Sequence, residues 1–152
     1  MRALHRLAYK IAHRLRHKWR LWRKAPLSGV SVIAQDCEGR VLLVRHSYGP
    51  RGWFVPSGGM ARREEPVDAG VRELREETAC VLLDASLIGT MDEVISGSPH
   101  TAYVIAGRTD DEPKPDRREV VEARFFEPDD LPDELSKTAR ARLDFWRQSE
   151  QR

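Results

Sequence analysis

Apolar residues alternate with polar ones over Ser28–Gln35, with Val30, Val32 and Ala34 on one side and Ile33 on the other, which predicts a strand. Asp36-Cys37-Glu38-Gly39 reads as a turn, helped by its glycine. Arg40–Arg45 then carries Val41-Leu42-Leu43-Val44, a buried strand, and the two strands predict a hairpin. A loop rich in breakers follows at 47–52, then a short strand at Trp53-Phe54-Val55 stopped by Pro56, then another loop at Ser57-Gly58-Gly59. The period changes between Glu64 and Ala79, where Val67, Val71, Leu74 and Thr78 repeat at three and four residues. Pro66 falls in the first turn of this helix, where its missing amide donor does no harm. Val81–Ile95 predicts one or two strands, Thr101–Ile105 another and Val120–Phe126 a further one. The acid- and proline-rich stretch 108–118 reads as an exposed loop, and Ser136–Gln148 as a final helix capped by Ser136. Strands on both sides of a central helix indicate an α/β or α+β layered domain.

The first 24 residues follow a different rule. Leu4, Leu7, Ala8, Ile11, Leu15, Trp19 and Trp22 recur at helical spacing and fall in a stripe about 120° wide. Arg2, Arg6, Lys10, His13, Arg16, Arg20 and Arg23 occupy the other face, and Pro26 limits the helix. Residues 2–23 therefore read as an amphipathic basic helix, which divides the chain into an extension, 1–25, and a domain, 26–152. Three uses compete for it: docking on its own domain or a second subunit, contact with a membrane surface, and contact with nucleic acid or service as a targeting peptide. Arginines interrupt every apolar stretch, so it does not read as a secretory signal.

Charge sharpens this division. The net charge of +2 hides nine Lys/Arg and no acid in residues 1–24, against 17 basic and 24 acidic side chains in the rest. The pattern is a basic arm on an acidic domain. No apolar run approaches the roughly 18 residues of a membrane span. Cys37 and Cys80 are the only cysteines, which is not a disulfide scaffold, so a reducing, cytoplasmic setting is the expectation, with peripheral membrane contact through the arm as one of the uses left open.

The chemistry concentrates between Gly58 and Cys80. Glu73, Glu76 and Glu77 stand three and four apart on one helix face, where like charges repel. Either the face is solvated and paired with Arg63, Arg72 and Arg75, or a hard divalent cation offsets the repulsion. The wider spacing resembles the signature of the Nudix hydrolase family: Gly, five residues, Glu, seven residues, then Arg-Glu-aliphatic-x-Glu-Glu-x-Gly-aliphatic. Gly58, Glu64, Arg72, Glu73, Leu74, Glu76 and Glu77 match it, while Ala79 replaces the glycine and Cys80 the final aliphatic residue. Ala79 implies either that the helix end needs no positive φ there or that it accepts strain. The resemblance covers roughly residues 27–148.

The resemblance implies a mixed sheet sandwiched between helices and hydrolysis of a pyrophosphate bond in a nucleoside diphosphate linked to another moiety, with Mg²⁺ or Mn²⁺ as cofactor. It implies that Glu73, Glu76 and Glu77 are metal ligands with the Gly58 carbonyl a further oxygen, that Glu73 or Glu76 acts as general base, and that Glu64 and Arg72 form a structural ion pair. Glu119 and Glu122 are candidates for a base supplied by a later loop, with a surface role as the alternative. Arg45, Arg51 and Trp53 are candidates for substrate contact by charge and stacking, with a core role as the alternative for Trp53. His46 and His100 are further residues that could approach the site. Two other functions compete: a non-catalytic, nucleotide-sensing regulatory module, and an RNA 5′-end pyrophosphohydrolase. The acidic domain works against RNA.

The basic helix is expected to localise or oligomerise the protein and to take no part in the chemistry. Deleting residues 1–25 should leave turnover within about twofold of the full chain. Loss of turnover from a truncated protein with an intact circular dichroism spectrum would contradict this.

Overall fold

In a computed structural model, which describes residues 27–95 and 97–151, six strands and two helices follow one another as β1 (Leu27–Gln35), β2 (Val41–His46), β3 (Ser57–Gly59), α1 (Pro66–Thr78), β4 (Leu83–Ile95), β5 (Ser98–Arg108), β6 (Val120–Phe126) and α2 (Lys137–Glu150). The basic helix expected at 2–23 lies outside the described residues. Among the described residues no helix is long and apolar enough to cross a membrane.

The strands form one mixed sheet in the order β4-β5-β1-β2-β6. Only β1 and β5 run parallel, in register from Leu27↔His100 to Gln35↔Arg108. Val32, Ala34, Leu42 and Ile105 face a cluster with Leu74, Cys80 and Leu82 on the α1 side. Ile33, Leu43 and Val104 face the opposite cluster with Leu143, Trp146 and Ala139 of α2. Adjacent residues thus bury opposite faces of a sheet covered on both sides, the arrangement period-two alternation produces. The Ser136 hydroxyl caps α2 by accepting the Ala139 amide at 3.0 Å.

The hairpin of β1 and β2 forms, but the strands pair only at Gln35↔Val41 and then part. Chain 53–59 fills the gap. Phe54 exchanges backbone hydrogen bonds with Val44 at 2.8 and 2.9 Å, and the Val32 amide donates to the Pro56 carbonyl at 2.8 Å. Ser57, Gly58 and Gly59 then pair with Ser31, Val30 and Gly29. The sequence pattern therefore inverts here: Trp53-Phe54-Val55 makes only isolated bridges, and the expected loop Ser57–Gly59 is the strand. Glycine is disfavoured in strands because it lacks a side chain to pack, and that lack is what the position of Gly58 requires. Val81–Ile95 resolves into one long, irregular strand at the sheet edge, with register shifts between Leu83 and Ser86 and between Leu87 and Gly89.

Helix α1 ends at Ala79, which adopts φ 62° and ψ 7° while its amide donates to the Arg75 carbonyl at 2.9 Å. Of the two alternatives left by the missing glycine, the chain takes the strained one. A left-handed alanine costs roughly 1–2 kcal/mol, partly offset by the extra chain entropy a glycine loses on folding. Ala79→Gly is therefore expected to stabilise the domain by about 0.5–1 kcal/mol, or a few degrees in Tm. Thermal denaturation checks this; an unchanged or lowered Tm would contradict it.

Candidate active site

The loop after β3 and the helix α1 are joined by one guanidinium. Arg72 binds Glu64 through both arms, Nε to Oε1 at 2.7 Å and Nη2 to Oε2 at 2.9 Å. Its Nη2 also donates to the Gly59 carbonyl at 2.9 Å, and its Nη1 to Glu73 Oε1 at 2.8 Å and Glu76 Oε2 at 3.4 Å. Glu64 additionally accepts the Ala61 amide at 2.7 Å. The hydrogen bonds from Arg72 and then from Ala61 hold the Glu64 carboxyl down at about 2. The fork of a single arginine, with donors at fixed angles, thus ties strand, loop and helix together.

Gly58 faces Glu73. A Cβ built at Gly58 would lie 2.0 Å from Glu73 Cδ, so any side chain there would displace the carboxylate. One helical turn on, Glu77 is only 4% exposed and accepts the Ser57 amide at 3.3 Å. Its carboxyl is pushed well above the usual range, first by burial and then by the charge of Glu73, with Glu119 and Asp116 adding. Burial also raises Glu73, although Arg72 opposes the shift. Arg72 thus pairs with Glu73 and Glu76, while the charge on Glu77 is opposed by neighbouring carboxylates.

The opposite wall comes from the segment before β6. The Asp116 carboxylate accepts the amides of Arg118, Glu119 and Val120 at 2.9, 3.0 and 2.9 Å. The Asp116 and Lys114 amides donate to the Glu77 and Thr78 carbonyls, at 3.1 and 2.7 Å, which docks this loop on the end of α1. Glu73, Glu76, Glu77, Asp116, Arg118 and Glu119 line one cavity of about 380 Å³. The stretch expected to be a plain exposed loop therefore supplies a wall. The signal for Asp116 was its place ahead of a turn, where an aspartate receives amides two to four residues on.

Among the described residues no three His, Cys, Asp or Glu side chains converge on one metal position. The donor set nevertheless fits a hard divalent ion in kind. Five carboxylates and one arginine line the cavity, and the absent Cβ of Gly58 leaves the β3 backbone against Glu73.

A second cavity, of about 450 Å³, opens beside the first and shares Glu77 with it. His46, Tyr48, Gly58, Glu93, His100 and Arg142 are among its lining residues. The Tyr48 hydroxyl donates to Glu119 Oε2 at 3.3 Å, linking the two spaces.

Neither cavity is lined by Arg45, Arg51 or Trp53. Trp53 is 4% exposed in the α2-side core and stands edge-on to Phe126, with ring centroids 4.8 Å apart. The Arg45 guanidinium lies 4.7 Å from the centre of the Trp53 ring and pairs with Glu134 and Glu122. The ring is thereby packed and covered, the core role that the sequence left open beside stacking. Arg51 is exposed in its loop. Glu122 binds Arg45 and Arg124 away from the carboxylate cavity, whereas Glu119 lines it. His46 and His100, which the sequence held open, line the larger cavity, and Glu93 and Arg142 join them without any local sequence signal.

Comparison with known proteins agrees with this architecture. An RNA pyrophosphohydrolase from Saccharophagus degradans is 37% identical over 60 residues, 40% of this chain and 35% of that protein. Diphosphoinositol polyphosphate phosphohydrolase 3-alpha from Homo sapiens is 43% identical over 67 residues, 44% of this chain and 40% of that protein. The chain thus matches two fifths or less of the length of these relatives. The crystal structure of a MutT NUDIX hydrolase from Burkholderia pseudomallei superposes with a TM-score of 0.71 at 26% identity, covering 79% of this chain and 97% of that one. The NUDIX domain model matches residues 25–146, which contain both cavities and every element from β1 through most of α2, and the chain belongs to the NUDIX family.

Proposed function

We propose that the protein hydrolyses a pyrophosphate bond in a nucleoside diphosphate linked to another moiety, with Mg²⁺ or Mn²⁺ as cofactor. The observation that carries this reading is the cavity with five carboxylates on its walls, joined through Glu77 to a larger pocket of mixed polarity. Carboxylates repel a pyrophosphate, so the first cavity accepts one only through a cation. Divalent metal use is general in the family. Glu73, Glu76 and Glu77 would hold the ion, with the Gly58 carbonyl as a further oxygen. A bound divalent ion neutralises phosphate oxygens and makes water more acidic.

The chain's own residues divide the remaining work. Arg72 holds Glu73 against β3 and fixes the helix face on which all three glutamates stand. Glu76, with 60% of its side chain exposed, is the acid of the three best placed to receive a proton from attacking water. Glu119, across the cavity and held by Tyr48, is the second candidate for that step. The larger pocket would take the organic part of the substrate. Relatives named for RNA and for diphosphoinositol polyphosphates share the pyrophosphate bond, and differ in what carries it.

The test is product release from a panel of nucleoside triphosphates, nucleotide sugars, dinucleoside polyphosphates and 5′-triphosphorylated RNA with Mg²⁺ or Mn²⁺. Wild type should cleave one class, chelation should stop it, and Glu76→Gln should lower kcat by 100-fold or more while Tm stays within a few degrees. Equal activity in the variant would contradict the site. A folded wild type that binds a panel member and cleaves none would make the domain a sensor of nucleotides.

A further inference from the structure

The larger cavity holds a charge cluster that the proposed chemistry leaves unused. Arg142 of α2 keeps only 3% of its side chain exposed and donates Nη2 to Glu93 Oε1 at 2.7 Å. Its Nε donates to the Ser31 hydroxyl at 3.3 Å, and its Nη1 lies 3.3 Å from Met91 Sδ. Glu93 and His100 are cross-strand partners on β4 and β5, and His100 Nδ1 lies 3.0 Å from the same Oε1. Arg142 therefore holds the Glu93 carboxylate with the His100 ring beside it, and that carboxylate lines the cavity and keeps 24% exposure. A carboxylate held in this way accepts hydrogen bonds and donates none.

The charge of the lining bears on which rings suit the cavity. Among the described residues lining it, Arg142 is the one Lys or Arg, and its guanidinium is committed to Glu93, Ser31 and Met91. The remaining polar lining includes Ser28, Tyr48, Thr138 and the imidazoles of His46 and His100, with Glu77 and Glu93 as its carboxylates. A ring crowded with phosphates needs several uncommitted cations, and the described lining offers it carboxylates and no lysine or uncommitted arginine. An uncharged ring with N–H or O–H donors meets an acceptor already held in place, so little ordering cost remains.

We propose that Glu93, positioned by Arg142, is a specificity-determining residue that receives hydrogen-bond donors of an uncharged ring, selecting a nucleoside over a polyphosphorylated ring. This rests on the pyrophosphohydrolase reading of the adjoining cavity. The donors are either the N–H groups of a base edge or the hydroxyls of a ribose.

The experiment compares kcat and KM of the full-length protein with Mg²⁺ on nucleoside triphosphates and on a diphosphorylated inositol polyphosphate. Wild type should favour a nucleotide by at least about tenfold in kcat/KM, the worth of one hydrogen bond to a charged group. Guanosine against inosine triphosphate, and each ribonucleotide against its 2′-deoxy form, separate the base from the ribose as donor. Glu93→Gln should raise KM for the favoured nucleotide about tenfold or more and change kcat by less than about threefold. Because removing that charge leaves Arg142 buried without its partner, Glu93→Asp, which keeps the charge and withdraws the acceptor, gives the same reading in a fold checked by its melting curve. Preference for the inositol substrate, or an unchanged KM in every folded Glu93 variant, would overturn the proposal. If the wild type cleaves nothing, the hydrolase reading fails by itself. The same ligands measured by calorimetry then decide the ring preference: nucleotide binding weakened in Glu93→Asp upholds it, and no binding or equal binding overturns it.

Discussion

Three glutamates on one helix face, one of them buried, are a liability that the rest of the site is arranged around. Repulsion between Glu73, Glu76 and Glu77 raises the cost of the helix, and burial of Glu77 raises it further. Arg72 answers part of this charge, and it does so while holding the loop through Glu64 and the strand through Gly59. The remainder is left facing a cavity whose other wall adds Asp116 and Glu119. A fold that concentrates acid in this way is suited to bind a cation and, through it, a phosphate.

The sheet serves this placement. Because β1 and β2 separate after one pair, the segment 53–59 can enter between them and bring Gly58 against the helix. The parallel pairing of β1 with β5 places His100 at the start of β1, and the β4–β5 pairing brings Glu93 beside it. Helix α2 then delivers Arg142 from the other side of the sheet order to the same spot. The acidic cavity and the larger pocket thus meet at Glu77, the residue common to both.

Much of this was legible in the sequence where local rules decide. The periods of β1, β2, β6 and the two helices gave their positions, and the fixed spacing from Gly58 through Glu77 gave the acidic helix face. The errors fall where tertiary contact decides. Ser57–Gly59 reads as a loop because glycine is a breaker, and only the approach of Glu73 explains why Gly58 in that strand must lack a Cβ. For Trp53 the sequence leaves a core role and a stacking role open, and only the tertiary structure shows Phe126 and Arg45 packed around the ring. Asp116, Glu93 and Arg142 lie 39, 20 and 65 residues beyond Glu77, Glu73 and Glu77 respectively. No pattern within one element connects them to the acidic helix; the β4–β5 register and the docking of residues 114–116 on α1 do.

The central claim is that uncompensated charge on the acidic helix is held in place for a divalent ion. Thermal denaturation of wild type and Glu77→Gln, each with and without millimolar Mg²⁺ at neutral pH, tests it most directly. The account predicts that the variant melts no lower than wild type without metal, because burial and the Glu73 charge both disfavour an ionised carboxyl there while the amide carbonyl can still accept the Ser57 amide, and that it gains less from Mg²⁺. A variant that melts lower without metal and gains as much from Mg²⁺ as wild type would contradict it.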